Sequence, residues 1–334
     1  MKKSLIAIAA LAAAGAAAAA QSSVTLYGVV DTSYGMNRVK TGNVTTRKVG
    51  LNEGKYGNLS GSRWGLKGQE DLGNGLSAVF NVEAGFNSAD GAFKTGFNRR
   101  SVVGLKGSFG EVLVGTDYTP MDKGPMSFYA TDIHTGATHP LNSKYEFYTA
   151  RSKGLHYNGN FSGVSVNGLV GYTEGKVTSP AGSTVGKGSV VGLGLGYASG
   201  PFAVSAAAQH FRQTTSAPGV EATGHVTEYG IAGSYDFTAA KLYAHYAANK
   251  PKGGKAWQQA GVGVSVPFNA FTLGAQYVYS KAGDYKGHNF GLEGRYAMSK
   301  RTDLYAKAAR YDAWKLGNWS TRSDMFSVGI RHKF

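Results

Sequence analysis

Apolar and polar residues alternate with a period of two through most of this chain. From Leu76 to Phe86, the residues Ala78, Phe80, Val82, Ala84 and Phe86 share one face, against Ser77, Val79, Asn81, Glu83 and Gly85. Phe271, Leu273, Ala275, Tyr277 and Tyr279 stand likewise against Thr272, Gly274, Gln276, Val278 and Ser280. The final residues repeat the pattern, with Phe326, Val328, Ile330, His332 and Phe334 opposite Ser327, Gly329, Arg331 and Lys333. Successive side chains of a strand point to opposite faces, so each segment reads as a β-strand with one apolar and one polar side. A soluble antiparallel sheet gives the same alternation, and no single strand says which side meets water.

The spacing of the strands narrows the choice. Short connections at 72–75, 108–111, 161–163, 199–201, 267–270 and 298–301 alternate with longer polar ones near 40–60, 87–98, 119–149, 175–188, 213–224, 250–255, 281–286 and 313–321. Between them fall 16 strands, near 23–39, 61–70, 76–86, 99–108, 111–118, 150–160, 164–174, 188–198, 202–212, 225–236, 241–249, 256–266, 271–280, 287–297, 302–312 and 322–334. An even strand number with alternating tight and long connections is the up-and-down order of an outer-membrane barrel. The expected fold is all-β: a 16-stranded antiparallel transmembrane β-barrel with short periplasmic turns, long external loops and an inward-folded third loop. A barrel this wide keeps an aqueous channel, and closure leaves no strand edge exposed. Tyr27, Trp64, Tyr172, Tyr197, Tyr229, Tyr235, Trp257 and Tyr296 fall near strand ends, where aromatic girdles would meet the membrane interfaces.

The first residues read differently. Lys2 and Lys3 precede an apolar stretch from Leu5 and a run of small residues ending at Ala20. This is the pattern of a secretory leader, with cleavage expected after Ala20, so that residues 1–20 form a signal peptide and 21–334 a single barrel domain. Composition agrees with an exported barrel: 49 glycines, 20 tyrosines, 16 phenylalanines and no cysteine, which leaves a closed hydrogen-bonded sheet to do what disulfides do elsewhere.

The net charge is +15, and two of these charges lie in the leader. Lysines and arginines occur singly or in pairs along the chain, which argues against the clustered footprint of a nucleic-acid binder. Gathered inside a lumen, the same charges would attract small anions. The eight histidines are scattered, with no HxxxH or His-carboxylate cluster to hold zinc, and no nucleophile has a recognisable base beside it. Neither enzyme chemistry nor a cofactor is implied. "VGLGLGY" (Val191 to Tyr197) lies within a strand, where its glycines point to close packing or a narrow lumen. An adhesin or receptor role for the external loops is compatible with a barrel.

The third long connection, Tyr118 to Ala150, mixes aromatic and charged residues, and loops of that length are usually functional or disordered. Phe128, Tyr129, Tyr145, Phe147 and Tyr148 would pack it against the wall, carrying Asp117, Asp122, Asp132 and Glu146 towards the lumen.

The segments "QSSVTLYGVVDTSY", "SRWGLKGQEDLGNGLSAVFNVE", "NRRSVVGLKGSFGEVLVGTD" and "VGIRHKF" resemble the trimeric general porins of Gram-negative outer membranes, in particular the beta-proteobacterial, often anion-selective branch. The resemblance implies a homotrimer in the cell outer membrane, in contact with its lipid and lipopolysaccharide. It would pass small anions and hydrophilic solutes by diffusion. It also implies that the barrel-assembly machinery recognises the terminal Phe334. In that family an arginine ladder on the wall faces acidic groups at the constriction. Arg63, Arg99 and Arg151 match the ladder by motif, and Glu83 matches an acidic wall residue. Strand parity places Arg63 and Glu83 inward, but from Val103 and Leu105 it favours Arg100 over Arg99, so both remain candidates for a bulge or rim position. Where the family has "GRQ" this chain has "GTD" (Gly115 to Asp117), one cation fewer and one carboxylate more. After the loop it reads "HYNGNFSG" in place of "YDSPEFAG".

Overall fold

The computed structural model describes residues 22–51, 57–93, 95–128, 150–179, 182–217, 220–316 and 319–334. Its strands are β1 (Ser23–Thr41), β2 (Val44–Leu51), β3 (Arg63–Gly73), β4 (Leu76–Gly85), β5 (Arg100–Gly107), β6 (Gly110–Tyr118), β7 (Arg151–Phe161), β8 (Val164–Ser179) and β9 (Gly182–Ser199). They continue as β10 (Phe202–Ala217), β11 (Val220–Asp236), β12 (Lys241–Pro251), β13 (Trp257–Phe268), β14 (Phe271–Ala282), β15 (Tyr285–Ala297), β16 (Thr302–Leu316) and β17 (Trp319–Lys333). Each pairs antiparallel with its neighbours, and β1 meets β17 from Val29↔Lys333 to Thr41↔Thr321, which closes the sheet. β2 and β3 both pair with β1, β2 along its upper half and β3 along its lower half, so together they form one interrupted strand of a 16-stranded barrel.

Side-chain exposure follows the period of two. On β17, Phe326, Val328 and Ile330 are about half exposed, whereas Ser327 and Arg331 are buried. On β14, Phe271 and Leu273 look outward while Gln276, Val278 and Ser280 are buried within. The outward set is the lipid face and the inward set lines the lumen. Phe334 completes the seam: its N–H donates to the Gly28 carbonyl at 3.1 Å and its carbonyl accepts from the Gly28 N–H at 3.0 Å. Its ring lies over Gly28, where a Cβ would come within 2.3 Å of Cζ, so only glycine leaves room for it.

Two expectations about the aromatic girdle are corrected. Tyr27 is on the lumen face, where its hydroxyl donates to Asn81 Oδ1 at 2.8 Å, and Trp257 shares the inward face of the buried Gln259. Tyr172, Tyr197, Tyr229, Tyr235 and Tyr296 do face outward. The misplacement has a plain cause: an aromatic near a strand end signals an interface only when it lies on the outward parity.

The connections between β8 and β9 and between β10 and β11 are long but built mostly as strand. β8, β9, β10 and β11 have 16, 18, 16 and 17 residues, whereas about 9–11 suffice to cross a membrane at the usual tilt. Their hairpins therefore stand clear of the apolar band, and the stretches at 175–188 and 213–224 are mostly ladder. The stretch at 40–60 likewise contains a tight turn and β2.

Glycines set how closely the strands approach. A Cβ at Gly104 would fall 2.0 Å from the Val112 carbonyl oxygen of the neighbouring strand, a backbone atom with no room to move. Gly104→Val is expected to lower the yield of folded barrel about tenfold, by the overpacking mechanism. The measurement is the fraction running as the heat-modifiable form in unheated detergent gels.

Candidate functional site: the narrow passage

The start of the third loop turns inward. Thr119 leaves β6 and the chain forms a one-turn helix, α1 (Pro120–Lys123), followed by a 3₁₀ turn at Pro125–Ser127. Pro120 and Pro125 open these two turns, a position where the missing N–H costs nothing. Met121 and Met126 are buried in a cluster with Ala207 of β10 and Ala247 of β12. The wall beneath is made of small residues: a Cβ at Gly192 or Gly194 would come within 3.2 Å of Pro120, and one at Gly230 within 3.2 Å of Met121 Cε. The glycine run in β9 is thus a seat for the loop, which is the packing role read from the sequence. Tyr129, Asp132, Tyr145, Glu146, Phe147 and Tyr148 lie outside the described residues, as does Ala20.

Against the opposite wall, two carboxylates collect the cations. Glu83, 6% exposed, accepts from Arg99 Nε, lies 3.7 Å from Arg63 Nε and accepts from the Tyr27 hydroxyl at 3.0 Å. Arg99 Nη2 donates to the Tyr118 hydroxyl oxygen at 2.9 Å. Arg151 reaches the same oxygen at 3.3 Å, with its guanidinium 4.6 Å from the centre of the Tyr118 ring. Arg63, Glu83, Arg99, Tyr118 and Arg151 therefore form one connected group, although Arg151 begins β7 on the same parity as the outward Leu155.

Asp117 organises the second group. It is fully buried and faces the fork of Arg100, with Nε 2.8 Å from Oδ1 and Nη2 donating to Oδ2 at 3.1 Å, a two-point approach that suits the planar arginine head. Lys123 of α1 donates to Asp117 at 2.8 Å and to Asn158 Oδ1 at 2.6 Å. Burial pushes the Lys123 ammonium below the usual lysine range, and the neighbouring Asp117 carboxylate opposes that shift. Asp122 sits half-buried on α1, one residue before Lys123.

The question of Arg99 or Arg100 resolves into both. Arg100 belongs to the β5 ladder opposite Glu83, while Arg99 precedes the strand, tied by its N–H to the Glu83 carbonyl at 3.1 Å. Released from the pleat, Arg99 can turn its side chain inward beside that of its neighbour. Lys123 escaped sequence reading because its inward position depends on where the loop folds, and no periodicity reports that. Towards the periplasmic turns the lumen continues into a recess of about 350 Å³ lined by Lys67, Asn81, Arg100, Lys106, Glu111 and Leu113, among others. Among the described residues no group of histidines and carboxylates is placed to hold a metal ion.

Barrel, inward loop and charged passage together describe a diffusion channel, and the comparisons with known proteins agree. The profile of the family described as Gram-negative porin matches residues 7–314, and the chain belongs to that family. Outer membrane porin protein 32 of Delftia acidovorans is 34% identical, and an outer membrane porin protein of Bordetella pertussis 30%, each alignment covering the whole of both chains. Among solved structures, the anion-selective porin from Comamonas acidovorans superposes with a TM-score of 0.71 at 27% identity, over 94% of this chain and all of that one. The protein is an outer-membrane porin, a water-filled channel of a Gram-negative bacterium.

Proposed function

We propose that the channel favours small anions, and that Arg63, Arg99, Arg100, Lys123 and Arg151 supply the preference against Glu83, Asp117 and Asp122. The observation that carries this reading is the surplus of cations around two buried carboxylates at the level where the loop narrows the lumen. Paired charges cancel at a distance, whereas the surplus leaves a positive potential that lowers the barrier for an anion and raises it for a cation. The departure at Asp117 fits, since Arg100 and Lys123 outnumber the carboxylate that stands in the family's "GRQ" segment. The likeness to an anion-selective porin supports the same sign. No catalytic step or cofactor belongs to this reading. In a planar bilayer under a salt gradient, the zero-current potential is expected to take the sign of anion preference; the opposite sign overturns the proposal.

The finer expectations belong to the same reading. The resemblance to trimeric porins supports a homotrimer and recognition of Phe334 by the assembly machinery, and the charged, apolar and small-residue pattern of residues 1–20 supports a leader cut after Ala20. Contact with phosphate-bearing lipid headgroups is supported by outward cations at the external ends of β10 to β12. There Arg212, Lys250 and Lys252 stand around His225, whose Nδ1 lies 3.3 Å from His210 Nε2.

A further inference from the structure

The gap between β2 and β3 is filled from inside the barrel. β1 pairs with β2 down to Tyr34 and with β3 up to Val29, so among the described residues Val30 to Ser33 have no ladder partner on that side. Buried main-chain groups need partners, and here side chains of the next segment supply them. The Asp31 N–H donates to Ser62 Oγ at 2.9 Å, and the Asp31 carbonyl accepts from Asn58 Nδ2 at 2.8 Å, Ser62 Oγ at 3.0 Å and Ser88 Oγ at 2.6 Å. The carboxylate of Asp31, with no exposed surface, accepts from the Ser60 N–H at 2.7 Å and from the Tyr305 hydroxyl at 2.5 Å.

The segment Gly57 to Ser62 is held from other strands as well. Lys307 Nζ donates to the Asn58 carbonyl at 2.8 Å, Ser327 to the Gly57 carbonyl at 3.0 Å and Ser33 to Asn58 Oδ1 at 2.6 Å. Ser33, Tyr305, Lys307 and Ser327 are all inward residues of β1, β16 and β17, so the segment lies within the lumen and covers that wall. α1 is seated on β8 to β11, and the 3₁₀ turn after it on β10 to β12. The inner end of the segment reaches the charged passage: a Cβ at Gly61 would stand 3.4 Å from Arg99 Nη1, and the Gly61 carbonyl accepts from Arg63 Nη1 at 3.0 Å.

We propose that Gly57 to Ser62 is a second inward-folded wall of the narrow passage, and that Asp31 is the residue that positions it and, through it, Arg63. Ions crossing the passage then move between this segment and the third loop. The inference rests on the chain being a channel but not on the sign of its ion preference, because a block registers in conductance whichever ion carries the current.

The chain contains no cysteine, so a single introduced thiol is unique. Gly61→Cys is spatially tolerated, since the added Cβ meets only Arg99 Nη1, at ordinary contact distance. Reconstituted in a bilayer and treated with a negatively charged methanethiosulfonate, the variant should lose roughly half or more of its single-channel conductance. Mass spectrometry of the same sample reports whether the thiol has reacted. A reacted thiol with unchanged current places the segment outside the ion path, and a thiol that reacts only after denaturation places it out of reach of the lumen; either result overturns the proposal. Adding Asp31→Ala should shrink the block about twofold or more and shift the zero-current potential as Arg63 loses its support, an electrical change that simple loss of stability would not produce. If that double variant fails to assemble, Gly61→Cys alone decides.

Discussion

Replacing Arg63 and Arg99 together by glutamine will reduce the anion-to-cation permeability ratio about tenfold, the equivalent of about 1.4 kcal/mol at the passage. The size follows from the geometry. Both guanidinium groups lie against Glu83, and the carboxylate is only 6% exposed, so removing them takes away two positive charges and uncovers a negative one. A unit charge acting over about 6 Å is worth about 0.7 kcal/mol in bulk water and about 3 kcal/mol at an effective dielectric constant near 20, and a narrow aqueous lumen lies between these limits. Arg100, Lys123 and Arg151 remain, so an attenuated preference is expected. Reversal potentials in a salt gradient measure the ratio directly. Two companion variants separate charge from shape: lysine at both positions should keep most of the preference, and adding Glu83→Gln to the double glutamine variant should restore part of it. An unchanged ratio in the double glutamine variant would move the selectivity to the group around Asp117.

The limits of sequence reading show in the same residues. Arg63 and Glu83 were legible because both sit within regular strands, where parity alone assigns the face. Arg99 and Arg100 were ambiguous because one of them stands just outside the ladder, and the period of two holds only inside it. Lys123 and the Gly57 to Ser62 segment were not legible, since their positions are set by tertiary contacts with strands up to 270 residues away along the chain, such as Ser327 with Gly57. The membrane-crossing part of the barrel was readable because its strands repeat the same local rule. What the alternation could not report was the break in the second strand: residues 44–51 resume pairing after a tight turn, and a polar stretch of threonines, arginine and lysine looks the same as loop or as ladder above the membrane.

The second large effect concerns the third loop. Met121→Asp is expected to release α1 from the wall and raise single-channel conductance about twofold, while leaving the barrel assembled. Met121 has no exposed surface, and burying such a side chain contributes about 1.5–3 kcal/mol. An ionised carboxylate in its place would carry a desolvation cost of several kcal/mol among Ala207, Ala247 and Gly230. The other anchors of this one-turn helix include Pro120 on the glycine seat, the Lys123 contacts with Asp117 and Asn158, and the Met121 N–H, which donates to Gln209 Oε1 at 3.4 Å. The barrel depends instead on its continuous hydrogen-bonded ladder, so the heat-modifiable gel shift should stay as in the parent. Gly194→Val attacks the same contact from the wall side, because its Cβ alone stands 3.2 Å from Pro120 and the two further methyl groups need more room. If the two substitutions raise conductance alike, the loop is held by this seat; if both leave it unchanged, the passage is narrowed elsewhere, and the wall formed by Gly57 to Ser62 becomes the element to release next.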